Sequence, residues 1–79
     1  MITVAYNDVN KAVELFMDKV GIDLLIRSLT ELKEEYDHIH IYATGDDRGL
    51  SLKAMHEGAK VFQEVILERY SPDDWVDRA

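Results

Sequence analysis

The chain has 79 residues, no cysteine and a formal charge of −7 from 9 basic and 16 acidic side chains. That length holds one domain and no second core. The absence of cysteine excludes a disulfide framework, a Cys-ligated zinc and a thiol nucleophile, and the acidity disfavours a phosphate backbone as ligand, because nucleic-acid affinity rests on Lys and Arg neutralising phosphates. The apolar share, 47%, suits a folded domain rather than a disordered chain. No apolar run reaches the 18 or so residues of a membrane span, and the segment Met1 to Asp8 lacks the basic start and apolar stretch of a signal peptide. The expectation is a single domain over 1–79, cytoplasmic, with no membrane partner.

In chain order, the stretch from Asp8 to Val20 is open to two readings. Val9, Ala12, Val13, Phe16, Met17 and Val20 match a helix stripe, whereas Val13, Leu15 and Met17 match one face of a strand, and periodicity alone mildly favours the helix. Next comes the clearest pattern of the chain. Ile22, Leu25, Ile26, Leu29, Leu32 and Tyr36 recur at spacings of three and four, with Asp23, Arg27, Thr30, Glu31, Glu34 and Glu35 between them. A helix is predicted over about 19–36, that apolar row facing the core and Asp18 capping its start.

His38-Ile39-His40-Ile41-Tyr42 then alternates polar and β-favouring residues, which predicts a half-buried strand with Ile39 and Ile41 inward. The residues from Thr44 to Gly49 read as a turn. Residues 59–70 fit either element, and their β-branched and aromatic density leans towards strand. The tail from Ser71 to Trp75 reads as an extension beyond Tyr70.

Val13-Glu14-Leu15-Phe16-Met17-Asp18, Gly21-Ile22-Asp23-Leu24-Leu25-Ile26, Leu29 with Leu32, His38-Ile39-His40-Ile41 and Gly49-Leu50-Ser51-Leu52 together resemble a family of small bacterial immunity proteins. It is the one numbered thirty-two among those of polymorphic toxin systems. The loop after His-x-His departs from that pattern, reading Gly45-Asp46-Asp47-Arg48-Gly49 in place of a tryptophan with paired glycines. The resemblance implies a hairpin from Ile2 to Met17 turning around Asp8 to Asn10, then the helix, then antiparallel strands. The expected fold is thus α+β, a small antiparallel sheet of four or five strands packed on one long helix in ββαββ-like order. The implied function is non-enzymatic: direct binding and neutralisation of a cognate toxin, with no cofactor.

Two groups of residues carry candidate chemistry. His38 and His40, two apart on a strand, project from one face and offer two imidazoles to a metal, with His56 or the Asp46–Asp47 pair as a further ligand. The plainer reading is a solvent-facing pair alternating with buried isoleucines. Ser51 lacks a nucleophile-elbow context, and the glycines form no phosphate loop. The acidic groups Glu31, Glu34, Glu35 and Asp37, the loop pair Asp46 and Asp47, and Asp73-Asp74-Trp75 are the candidate surface for a basic protein partner. Surface solubilisation is the competing reading of that charge. Unpaired strand edges would let two copies associate, so the expected state is monomer or homodimer.

Overall fold

The computed structural model describes residues 1–74, so Trp75 lies outside the described residues. The chain is α+β, in the order β1 (Ile2–Asn7), β2 (Ala12–Met17), α1 (Lys19–Glu34), β3 (His38–Tyr42), β4 (Lys60–Val61), β5 (Glu64–Glu68) and a 3-10 turn at Pro72–Asp74. No described helix is long and apolar enough to cross a membrane.

The first 17 residues form an antiparallel hairpin in which Ile2 faces Met17 and Asn7 faces Ala12. Strand wins over the helical periodicity of residues 8–20 because the chain is turned at Asn7. Its Oδ1 accepts from the N–H groups of Val9 and Asn10 at 3.0 and 3.1 Å, an Asx turn, and Lys11 closes the connection at φ 53°. Pairing with β1 then fixes period two. β1 itself is buried on both faces: Ile2 and Val4 join the core, and Thr3 Oγ1 donates to the Lys53 carbonyl at 3.0 Å.

Asp18 caps α1 as expected, its carboxylate accepting from Gly21 N–H at 2.9 Å and contacting the Met1 amino group. The inward face of α1 matches the predicted one only at Leu25 and Leu32. Gly21, Leu24, Ser28 and Leu32 are buried and Leu25 packs beside them, whereas Ile22, Ile26, Leu29 and Tyr36 are exposed. At 100° per residue the exposed row lies about a third of a turn around the helix from the buried one. The reason is close approach. Gly21 has no side chain to hold the Met1 carbonyl away, and Ser28 is short, its Oγ satisfied by the Leu24 carbonyl at 2.8 Å. The helix ends at Glu34, two residues before the predicted limit; Glu35 and Tyr36 N–H both donate to the Glu31 carbonyl.

The expected single sheet of four or five strands is instead two: three strands in the order β2-β1-β4, and the pair β3-β5. Residues 60–68 change partners halfway. Phe62 N–H donates to the Val4 carbonyl, and one residue later the Gln63 carbonyl accepts from Ala43 N–H, both at 2.8 Å. Leu50 occupies the junction, bridging in parallel to Ile2 and to Ala43. It completes a core of Ile2, Val4, Leu24 and Ile41, flanked by Leu25, Ile39, Ala43, Val65 and Leu67.

Candidate protein-docking face

β3 and β5 pair from His38 opposite Glu68 to Tyr42 opposite Glu64. Alternation turns Ile39, Ile41, Val65 and Leu67 onto α1 and the core, as expected for the two isoleucines. The same alternation places His38, His40 and Tyr42 outside, alongside Glu64, Ile66 and Glu68, all six exposed. His38 and His40 meet edge to face at 5.3 Å between ring centres, and His40 stacks on Tyr42 at 5.7 Å.

Carboxylates hold this aromatic row from both sides. Asp37 accepts from His38 Nδ1 at 2.8 Å, and Glu64 from His40 Nδ1 at 2.9 Å. The imidazole beside Asp37 holds that carboxyl below its usual range. Partial desolvation, reinforced by Glu64, pushes the Tyr42 phenol up. Tyr70 hydroxyl donates to Glu68 at 3.1 Å. At the end of the row Asp37, His38, Glu68, Arg69, Tyr70 and Ser71 line an open groove of about 670 Å³.

The predicted acidic residues divide by location. Asp37 belongs to the groove, and Glu34 and Glu35 precede it in the chain by three and two residues at the close of α1, both exposed, while Glu31 is half-buried. Carboxylates at a helix C-terminus oppose the macrodipole. Two cations favour that end: Lys33, in the last turn, and Arg69, whose Nη1 donates to the Lys33 carbonyl at 3.0 Å.

Asp46 and Asp47 are engaged elsewhere. Asp46 accepts from the Arg48 guanidinium, Arg48 N–H and Thr44 Oγ1, which in that order hold its carboxyl far below the usual range; Asp47 lies 3.2 Å from the Met1 amino group. They shape and tether the 44–49 turn.

His56 is separated from the other two histidines. Its ring meets Phe16 edge-on at 5.9 Å and its Nε2 lies 3.3 Å from Glu14, on β2. Among the described residues, no three His, Asp or Glu side chains gather into a metal-binding group. The Glu57 carbonyl, and after it Glu14, raises the His56 pKa. A raised value favours the folded state fully below the unfolded imidazole pKa, near 6.5, and the contribution is lost as pH rises through the higher folded value. Thermal melts of wild type and His56→Gln from pH 5 to 9 should therefore differ most at the acid end and converge at the alkaline end.

Tyr42, Glu64, Ile66, Glu68 and Tyr70 were not singled out as site residues by sequence reasoning. The signal was present: Glu64 to Glu68 alternates with the same period as His38 to Tyr42, and antiparallel pairing of the two puts their outward residues on one face. No family model, curated protein or solved structure matches the chain. Fold and site together define a small α+β domain with an acidic, aromatic outer sheet face.

Proposed function

We propose that the chain is a non-enzymatic binding domain of the immunity type, neutralising a basic toxin domain that seats on the outer face of β3 and β5. The observation that carries this reading is the uncovered row of His38, His40, Tyr42 and Ile66 set among Asp37, Glu64 and Glu68. Tyrosine supplies contact area at the centre of interfaces, and a rim of one charge sign speeds encounter with the opposite sign. Glu34 and Glu35 add support, since they sit where the helix dipole disfavours them. The motif resemblance to the immunity family points the same way.

The test is co-expression with the product of a neighbouring toxin gene, scoring survival, together with association rates at two salt concentrations. Glu34→Lys with Glu35→Lys should slow association about tenfold at low salt, an effect that fades as the Debye length shrinks. The same pair should leave stability unchanged or raise it by about 0.3–1 kcal/mol per residue, because each lysine suits the helix C-terminus. Unimpaired, salt-independent association would remove the acidic end of α1 from the interface. Failure of the wild type to bind or protect would remove the immunity reading.

One observation favours a second reading, a metal-binding protein centred on His38 and His40. Each Nδ1 is held by a carboxylate, the arrangement that orients a metal-ligating imidazole through its other nitrogen. Stoichiometric zinc in untagged protein, lost in His38→Ala with His40→Ala, would establish it.

A further inference from the structure

β2 is an edge strand of its sheet, and the hydrogen bonds on the far side of β1 identify which of its backbone groups are open. Ser51 N–H donates to the Ile2 carbonyl at 2.7 Å, and Phe62 N–H to the Val4 carbonyl at 2.8 Å. Ile2 and Val4 therefore turn their peptide groups away from β2. Their register partners Met17 and Leu15 form non-hydrogen-bonded pairs with them, in which each partner's N–H and C=O point outward. Val13, two residues back, shares that orientation. Val13, Leu15 and Met17 thus present a row of donors and acceptors along a strand edge, the residues being 60%, 46% and 37% exposed.

Proteins blunt such edges with lysine, proline, a bulge or a covering segment. Ala12–Met17 contains neither lysine nor proline and pairs with β1 in unbroken register. Its one charge, Glu14, is taken up within its own chain by Asn7 at 3.2 Å and His56 at 3.3 Å. In a chain of net charge −7 this is an edge without a free carboxylate.

We infer that β2 pairs with β2 of a second copy of this chain, antiparallel about a twofold axis at Leu15, converting the three-stranded sheet into one of six strands. The occupant follows from self-complementarity. With Leu15 on the axis, the outward peptide groups of Leu15 meet their own copy, and those of Val13 meet Met17 of the other strand, in the alternation an antiparallel ladder requires. The three apolar side chains then form one row on the α1 side of the sheet, where their β1 partners Ile2 and Val4 lie in the core. Glu14 comes opposite Phe16 rather than another Glu14, and Asp18 comes opposite Ala12. Such an isologous pairing closes on itself as a dimer. It is independent of the partner proposed for the β3–β5 face.

Sedimentation of the full untagged chain from about 1 µM to about 500 µM should show a concentration-dependent rise towards twice the 9.1 kDa chain mass. Because the chain has no cysteine, single cysteines read the register directly. Leu15→Cys places two thiols on Cα atoms about 5.5 Å apart, within disulfide reach, and mild oxidation should link it. Val13→Cys, facing Met17, should link far more slowly, and the pair Val13→Cys with Met17→Cys should recover linkage. Leu15→Lys, checked for folding by circular dichroism, should weaken dimerisation about a hundredfold by setting like charges on the axis. A monomer at every concentration overturns the inference and leaves the edge to a different partner. Val13→Cys linking as readily as Leu15→Cys overturns the register.

Discussion

Gly49→Ala and Gly21→Ala should each remove a large share of the protein's stability. Neither residue needs glycine for its dihedral angles; both need it for space. A Cβ on Gly49 would overlap the Tyr42 carbonyl oxygen and stand 2.8 and 2.9 Å from Thr44 Cγ2 and Oγ1. That carbonyl accepts from Leu50 N–H at 2.8 Å, so relieving the overlap breaks the junction that holds Leu50 between the sheets. A Cβ on Gly21 would overlap the Met1 carbonyl oxygen and lie 2.7 Å from its carbon. The same carbonyl accepts from Asp18 N–H at 3.0 Å, which ties the start of α1 to β1. Forced backbone shifts of this kind cost about 1–3 kcal/mol or more, against the roughly 3–5 kcal/mol that a core this small supplies. Gly45→Ala provides the contrast. Nothing lies within 4 Å of its Cβ position, and only its φ of +77° is strained for alanine, a penalty of about 1–2 kcal/mol. Urea unfolding of the three variants checks the order. A larger loss at Gly45 than at Gly49 would show that conformation, not space, decides.

Local signals made part of this fold readable. His38 to Tyr42 alternates cleanly, and Asp18 stands where a helix cap is needed; both are settled by neighbours within a few residues. The strand Ala12–Met17 was not readable from periodicity, because Val13, Phe16, Met17 and Val20 satisfy a helix stripe equally well. What decides it is the pairing with β1, a long-range contact that no local window contains. The division into two sheets was hidden for the same reason: it depends on Phe62 and Gln63 bonding to different strands and on Leu50 entering between them.

The helix orientation is degenerate in the sequence. Leu24, Leu25 and Ile26 are consecutive and apolar, so more than one inward face can be drawn through α1. The apolar spacing favours the row of Ile22, Leu25, Ile26, Leu29 and Leu32, of which Leu25 and Leu32 turn inward. Steric fit selects the face with Gly21 and Ser28, which lets the helix approach the Met1 end of β1. A buried stripe containing glycine and serine scores poorly as hydrophobic pattern, although it packs closely. The site was half legible on similar grounds. The outward histidines follow from alternation alone, but the company of Glu64, Ile66 and Glu68 requires the β3–β5 register.

Leu50→Ala and Leu29→Ala should separate widely in stability, and the gap tests the orientation of α1 and the junction together. Leu50 is fully buried at 0% exposure and belongs to the core with Ile2, Val4, Leu24 and Ile41. Its side chain fills the space where β1, β3 and the bent 60–68 segment meet, so truncation leaves a cavity that none of these elements can close without losing its own pairing. The expected loss is about 2–5 kcal/mol, the range for buried leucines that cannot be replaced by collapse. Leu29 is 47% exposed on the outer row of α1. Alanine there surrenders little buried area and is the better helix former, so the change should stay within about 0.5 kcal/mol. Denaturant midpoints for the two variants, with Leu24→Ala as an inward reference on the same helix, provide the measurement. Leu24→Ala should fall with Leu50→Ala. If Leu29→Ala instead proves as damaging as Leu24→Ala, α1 packs through the Ile22, Ile26 and Leu29 face after all, and the close approach of Gly21 to Met1 is not what orients the helix.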